Sequence, residues 1–145
     1  MKRILFVCTG NTCRSPMAEA ILKQKIKWAG LKGYAVSSAG LAAAEGDKMS
    51  ENAKKALRQL GVKTPAFHSK QLTEEILKRS SFVVCMTEAH KRAVNSPKAR
   101  SAAELAGAEI SDPYGGSLNE YIRCSHEIER LCNIIMNKIL NGEEL

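Results

Sequence analysis

The chain has few aromatic residues, no long apolar run and no paired-cysteine motif. Aromatic side chains make up 5% of its 145 residues, with one tryptophan. No stretch approaches the roughly 18 consecutive apolar residues that a membrane helix needs, and the N-terminal apolar run is too short for a signal peptide. The five cysteines are an odd number and lack a C-x-x-C spacing, so they do not form the disulfide framework of a small secreted domain. We therefore expect a cytoplasmic protein with reduced thiols and no membrane contact.

The charge of the chain is biased toward basic side chains, but these are spread along the sequence. Lysine and arginine outnumber aspartate and glutamate by 22 to 15, which gives a net charge of +7. A nucleic-acid surface would gather such charges in one patch, and no block of about five like charges occurs. We therefore assign the charge to solvated helix faces and expect no nucleic-acid partner. The hydrophobic content of 44% is that of a globular chain, and residues 1–145 are predicted to form a single domain.

Strand and helix patterns alternate along the chain. The predicted strands are 3–7, 34–38 and 81–86, with a weakly marked fourth strand within 98–110. The predicted helices begin at Ser15 (as N-cap, with Pro16 in the first position), Ser50, Thr73, Thr87 and Leu118. This alternation is typical of an α/β fold in which a parallel sheet lies between layers of helices.

The first predicted strand leads directly into a loop that ends at an arginine. Five residues separate Cys8 from Arg14. Ligands of parallel α/β sheets bind at the carboxyl ends of the strands, so this loop lies where a site is expected. Its backbone N–H groups can wrap around an anion, because Gly10 relieves steric restriction and the following helix adds its positive end. Since the Arg14 guanidinium fits two phosphate oxygens, the loop predicts a site for a tetrahedral dianion.

The same segment supplies a nucleophile, and a later turn supplies an acid. A helix N-terminus and a nearby cation favour the thiolate form of Cys8, which can attack phosphorus without a neighbouring base. Ser15 can donate its hydroxyl to the sulfur and ease its departure in a second step. Asp112, in the turn Asp-Pro-Tyr-Gly-Gly, can protonate a leaving group and then activate water, with Tyr114 at the pocket mouth. None of these steps needs a metal ion or a cofactor.

These segments closely resemble the low-molecular-weight protein tyrosine phosphatase family. The resemblance covers 7–20, 37–40, 67–72 and 112–114, in the order that the family shows. It implies a three-layer α/β fold with four parallel strands and a cysteinyl-phosphate intermediate. It also assigns Cys8 as nucleophile, Arg14 as phosphate clamp and Asp112 as general acid and base. We expect phosphorylated proteins as substrates and a monomeric enzyme.

The resemblance also assigns residues around the anion. The phosphate-binding set is Thr9, Gly10, Asn11, Thr12, Cys13, Arg14, Ser15 and Tyr114. A supporting shell would hold the loop by hydrogen bonds, and its members are Asn11, Ser15, Ser38 and His68. Asn11 is expected in an unusual backbone conformation that asparagine tolerates. Cys13 is either a packing residue or, as the resemblance suggests, a partner that bonds to Cys8 and protects it from over-oxidation.

Thr12 favours phosphoarginine as the substrate. Many tyrosine-specific members of the family carry a larger aliphatic residue here, whereas members that resemble bacterial protein arginine phosphatases carry threonine together with Asp-Pro-aromatic-Gly-Gly. This chain has both features, and it has Ala42-Ala-Ala-Glu45 where tyrosine-specific members place an aromatic wall. Phosphotyrosine is the alternative substrate.

Two other functions are compatible with an anion loop. A related arsenate reductase would use a similar anion loop and pass a disulfide along two further cysteines. Cys85 lies near the position expected for one of these cysteines, but residues 92–94 offer no second thiol. A non-catalytic phosphate-binding module would show no turnover. Of the other residues, Cys85 and Cys132 are expected in the core, and Trp28 and Tyr121 are expected to pack against other side chains. His90 and His126 are expected to be solvated, and Cys124 has no assigned role.

Overall fold

The computed structural model describes residues 1–64 and 66–145. The strands are β1 (Lys2–Cys8), β2 (Tyr34–Gly40), β3 (Phe82–Cys85) and β4 (Ala99–Ser101). The helices are α1 (Arg14–Trp28), α2 (Glu51–Gln59), α3 (Glu74–Arg79), α4 (Glu88–Val94), α5 (Ala102–Ala106) and α6 (Leu118–Leu140). Among these described residues, no helix is long and apolar enough to cross a membrane.

The four strands form one parallel sheet in the order β2-β1-β3-β4. Strand β1 therefore lies inside the sheet, with β2 on one side and β3 on the other. Cys8 at its end pairs in register with Gly40 of β2, and Val7 pairs with Cys85 of β3. This confirms the predicted α/β fold with a four-stranded parallel sheet, and it places the predicted loop at the carboxyl ends of three neighbouring strands.

The two faces of β1 are covered by different helices, which explains why residues 4–8 are all buried. Alternate side chains of a strand point to opposite faces. Ile4 and Phe6 pack with residues of α1, α2 and α6, whereas Leu5 and Val7 pack with residues of α3 and α4. The result is the predicted three-layer arrangement.

Helix α1 begins two residues earlier than the sequence predicts. Arg14 is its first residue and Cys13 occupies the N-cap position without a side-chain hydrogen bond to the helix. Ser15 was predicted as the N-cap, but its Oγ lies 2.8 Å from both Cys8 Sγ and Asn11 Nδ2. Because the serine is used inside the loop, no side chain caps α1, and its first N–H groups are left for an anion.

The other helix starts agree with prediction, and one helix was not predicted. Ser50, Thr73 and Thr87 each accept a hydrogen bond from a backbone N–H of the first turn. The weakly marked fourth strand is confirmed as three residues, after which the chain enters α5. Ser101 and Glu104 form a capping box at that point, a pattern that was readable in the sequence.

Candidate active site

A cleft of about 200 Å³ lies at the carboxyl end of β1, above the start of α1. It is lined by Cys8, Gly10, Asn11, Thr12, Cys13, Arg14, Asp112 and Tyr114. The structure thus brings the predicted nucleophile, clamp and acid to one cleft, although the last lies about a hundred residues away in sequence. Thr9 and Ser15 belong to the same loop but do not line the cleft.

The Cys8 thiol is held by a directed chain of hydrogen bonds. Cys8 Sγ lies 2.8 Å from Ser15 Oγ and is almost fully buried. Asn11 Nδ2 donates to Ser15 Oγ at 2.8 Å and to Ser38 Oγ at 2.9 Å, and Ser38 in turn donates to Glu19 Oε1 at 2.7 Å. Because Ser15 Oγ accepts from Asn11, its own proton can point to the sulfur. The arrangement suits a negatively charged Cys8, and Glu19 is a member that sequence reasoning missed.

Asn11 is the residue that holds the loop in shape. Its φ of 55° lies in the left-handed region, as the family resemblance implies. Its Oδ1 accepts from the Lys70 backbone N–H at 3.0 Å, and its carbonyl accepts from Ser69 Oγ at 2.6 Å. These bonds stabilise a backbone conformation that would otherwise be disfavoured.

The prediction that His68 supports the loop is wrong. Its ring is exposed, and its Nδ1 lies 3.4 Å from the Gly46 carbonyl. The neighbouring residues of this segment, Ser69 and Lys70, make the bonds to Asn11 instead. Consecutive side chains of an extended segment point to opposite sides, so the buried Ser69 hydroxyl faces the loop and His68 faces solvent.

Arg14 is buried and only partly satisfied. Its Nη1 donates to the Ile110 carbonyl at 3.0 Å, and its Nη2 lies 3.6 Å from Asp112 Oδ2. Its buried Nε has no hydrogen-bond partner among the described residues. An unpaired buried guanidinium nitrogen costs free energy that an anion in the cleft would recover, because charge-assisted bonds to phosphate oxygens are strong.

Asp112 and Tyr114 form the outer part of the cleft. The Asp112 Oδ1 accepts from the Tyr114 backbone N–H at 3.1 Å, which fixes the turn, while its Oδ2 faces Arg14. Both side chains are exposed at the mouth. A carboxyl group placed here can exchange protons with a leaving group that points out of the cleft.

Gly40 allows β2 to approach the loop closely. A Cβ atom at this position would lie 2.5 Å from the Thr9 carbonyl oxygen and 3.1 Å from Asn11 Cβ. The Thr9 carbonyl also accepts from the Ala42 N–H at 2.9 Å. Only a glycine leaves room for the loop at this register.

His90 and Trp28 were assigned wrongly from the sequence. His90 is 7% exposed rather than solvated, and its Nε2 lies 2.9 Å from Thr9 Oγ1. Burial, together with the positive charge of Arg14, lowers the pKa of His90 below its ordinary value, although Asp112 and Glu109 act in the opposite direction.

Trp28 is 76% exposed at the end of α1, where the helix leaves the core. An apolar helix position near a terminus does not reveal whether the core extends that far.

The assignments of His126 to solvent, of Tyr121 to packing, and of Cys85 and Cys132 to the core are confirmed. His126 is exposed, and Tyr121 is buried with its hydroxyl 3.3 Å from Cys13 Sγ. Burial raises the pKa of Tyr121 to about 12. All five cysteines are free and buried, and burial raises the pKa of Cys85 and of Cys124 to about 12. Cys85 packs on the α3–α4 face of the sheet and does not line the cleft, so it has the environment of a core residue.

Within residues 1–64 and 66–145, no group of three or more His, Cys, Asp or Glu side chains is placed to hold a metal ion.

This site defines a class of protein: an α/β protein with an anion-binding loop, a buried cysteine at its start and an arginine at its end. Comparison with known proteins is more specific. The family model for low molecular weight phosphotyrosine protein phosphatase matches residues 3–144. A protein-arginine-phosphatase of Geobacillus stearothermophilus is 38% identical, over 94% of this chain and 95% of the relative.

Solved structures agree with the sequence comparison. A low molecular weight phosphotyrosine phosphatase of Vibrio cholerae superimposes with a TM-score of 0.90 at 27% identity, covering 98% of this chain and 99% of the other. A cysteine-to-serine mutant of an arginine phosphatase, with a phosphorylated active-site serine, gives a TM-score of 0.89 at 34% identity and covers 95% of both chains. The chain belongs to the low molecular weight phosphotyrosine protein phosphatase family, and it is a cysteine-dependent protein phosphatase.

Proposed function

We propose that this phosphatase removes the phosphoryl group of phosphoarginine in proteins, with Cys8 as nucleophile, Arg14 as clamp and Asp112 as acid and base. The observation that carries the substrate assignment is Thr12, which lines the cleft beside the nucleophile. Relatives named as arginine phosphatases support it. The catalytic assignments are supported by the cleft that gathers these side chains.

The first step transfers the phosphoryl group to sulfur. The Cys8 thiolate attacks phosphorus, and a sulfur–phosphorus bond forms as the phosphorus–nitrogen bond to the arginine side chain breaks. The electron pair of the broken bond goes to nitrogen, which takes the proton of Asp112. The Arg14 guanidinium and the loop N–H groups bind the equatorial oxygens, where charge is spread in the transition state.

The second step releases phosphate. Asp112, now a carboxylate, takes a proton from water as the water oxygen attacks phosphorus. The sulfur–phosphorus bond breaks, and its electron pair returns to Cys8 as a thiolate. The Ser15 hydroxyl, 2.8 Å from the sulfur, stabilises the departing charge. The enzyme is then ready for another turnover.

The chemistry of the cleft fits a guanidino leaving group. An arginine side chain is a far stronger base than a phenolate, so its departure depends strongly on proton transfer. The Asp112 carboxyl at the mouth can both supply that proton and bind the guanidinium. Among the cleft-lining residues Tyr114 is the aromatic one, and it is exposed rather than stacked over the loop. A phosphotyrosine ring would therefore find few aromatic side chains to pack against in this cleft.

The substrate assignment is tested with matched peptides that carry phosphoarginine or phosphotyrosine. We expect the wild type to show the higher kcat/KM for phosphoarginine, and Thr12→Ile to reduce this preference by narrowing the cleft. Thr12→Val, which keeps the size of threonine without its hydroxyl, separates the effect of polarity from that of volume. A wild-type preference for phosphotyrosine that Thr12→Ile leaves unchanged would contradict the proposal.

A further inference from the structure

His90 has no part in the steps above, yet it contacts the anion loop directly. Its Nε2 lies 2.9 Å from the Oγ1 of Thr9, the residue that follows the nucleophile. We propose that His90 is a positioning residue, which holds Thr9 so that the loop keeps the conformation that binds a phosphoryl group. The inference rests on the proposed function, because it assigns His90 to the same site.

The direction of this hydrogen bond follows from the other ring nitrogen. His90 Nδ1 is buried and has no partner among the described residues. If Nε2 accepted a proton from Thr9, Nδ1 would carry a hydrogen without an acceptor, and orphaned buried donors are rarer than orphaned acceptors. We therefore assign the neutral tautomer in which Nε2–H donates to Thr9 Oγ1. Burial and the charge of Arg14, which lower the pKa of His90, favour the same neutral form.

The bond connects the loop to helix α4, and the other hydrogen bonds of the loop with described residues go to other parts of the fold. The Cys8 and Thr9 carbonyls accept from the N–H groups of Leu41 and Ala42, so the backbone is held from the β2 side. His90 lies on α4, which follows β3 on the other side of β1. Thr9 is therefore held on one side by the segment that follows β2 and on the other by helix α4.

Loss of the His90 bond would act on the next peptide of the loop. Gly10 follows Thr9 and lines the cleft, and glycine places little restriction on rotation of the backbone around it. With Thr9 attached on one side only, the peptide between these residues keeps only its carbonyl bond to the Ala42 N–H, and rotation about that bond can tilt the Gly10 N–H away from the anion. The expected defect is thus weaker anion binding, not only lower stability.

Packing alone does not account for a histidine at this position. A buried polar nitrogen without a partner costs free energy, and an apolar side chain of similar size would fill the same space without that cost. The other nitrogen is used for one contact, and that contact is with the anion loop. The imidazole is therefore explained by its bond to Thr9.

Two amide substitutions separate the bond from the rest of the side chain. Glutamine can place its amide nitrogen near the position of His90 Nε2, whereas asparagine ends near the position of Nδ1 and cannot reach Thr9. We expect His90→Asn to weaken binding of vanadate and of inorganic phosphate, and to reduce kcat/KM, by about five-fold or more, the effect of one hydrogen bond. His90→Gln should keep most of the wild-type values. Equal losses in the two variants would overturn the proposal.

Thr9→Val tests the same bond from the exposed side and avoids a change in the buried position. We expect it to match His90→Asn, and the double variant Thr9→Val/His90→Asn to be no worse than either single one, because both remove one interaction. Additive losses would show that the two residues act independently and would overturn the inference. Vanadate binding reports on the loop even if no phosphoprotein is hydrolysed. A wild type that binds vanadate without turnover would therefore contradict the proposed function and still leave this test readable.

Discussion

Gly40→Ala is predicted to damage the active site although Gly40 does not line the cleft. Its added methyl group would lie 2.5 Å from the Thr9 carbonyl oxygen, 3.0 Å from Ala43 Cβ and 3.1 Å from Asn11 Cβ. An ordinary carbon–oxygen contact is about 3.3 Å or more, so the loop or the strand has to move by roughly 1 Å. Strand β2 is fixed by its pairing with β1, which leaves the loop as the part that moves.

The magnitudes for stability and activity differ. Overpacking of this kind costs about 1–3 kcal/mol of unfolding free energy. A displacement of about 1 Å in a catalytic loop can cost roughly 100-fold in rate. We therefore expect kcat/KM for an aryl phosphate, and the affinity for vanadate, to fall far more than the modest loss of stability suggests.

The assay compares Gly40→Ala with Gly61→Ala at a temperature well below both unfolding midpoints. Gly61 follows α2 with a φ of +74°, and a Cβ there meets no atom within 4 Å. Its substitution should cost stability, by roughly 1 kcal/mol for a residue forced into the left-handed region, and leave turnover near the wild-type value. Full activity in a folded Gly40→Ala variant would refute the reasoning, because it would show that the loop tolerates the displacement.

Three further predictions concern the loop support, proton transfer and pH. Ser69→Ala should reduce activity because it removes the bond to the loop carbonyl, whereas His68→Ala should not; kcat/KM values of the two variants decide this, and the reverse result would restore the original assignment of His68. Asp112→Ala should slow substrates with poor leaving groups by about 10²–10⁴-fold and activated aryl phosphates far less, as measured by kcat across a leaving-group series; equal losses would count against a general acid. Because the pKa of His90 is lowered in the folded state, the unfolded chain binds more protons than the folded chain once the pH falls below about 6.5. The free energy of unfolding should therefore decrease as the pH falls through the folded pKa of His90. Denaturant unfolding at several pH values should show a smaller decrease for His90→Gln than for the wild type, and identical pH slopes would contradict this.

The sequence predicted which side chains meet in the cleft better than it predicted the residues that support the loop. Roles could be proposed for Cys8, Arg14 and Asp112 because their residue types and the loop spacing have direct chemical meaning, and the buried strand before Cys8 indicated where the loop lies. His68 and Ser69 are neighbours in an extended segment, and the sequence did not reveal which of them faces the loop. His90 lies in a helical pattern whose buried side depends on tertiary packing, so its contact with Thr9 could not be predicted. Strand β4 was weakly marked because three residues at a sheet edge carry little periodicity.

The central claim is that the phosphoryl group passes through Cys8. The most direct test uses Asp112→Asn with an activated aryl phosphate. The leaving group of this substrate departs without an acid, whereas hydrolysis of the phosphorylated intermediate has lost its base, so the intermediate should accumulate. After rapid quenching, peptide mass spectrometry should find one phosphoryl group on Cys8, and Cys8→Ala, which has no nucleophilic atom at this position, should release no aryl product. Steady turnover with no adduct at Cys8, or an adduct on another residue, would contradict the account.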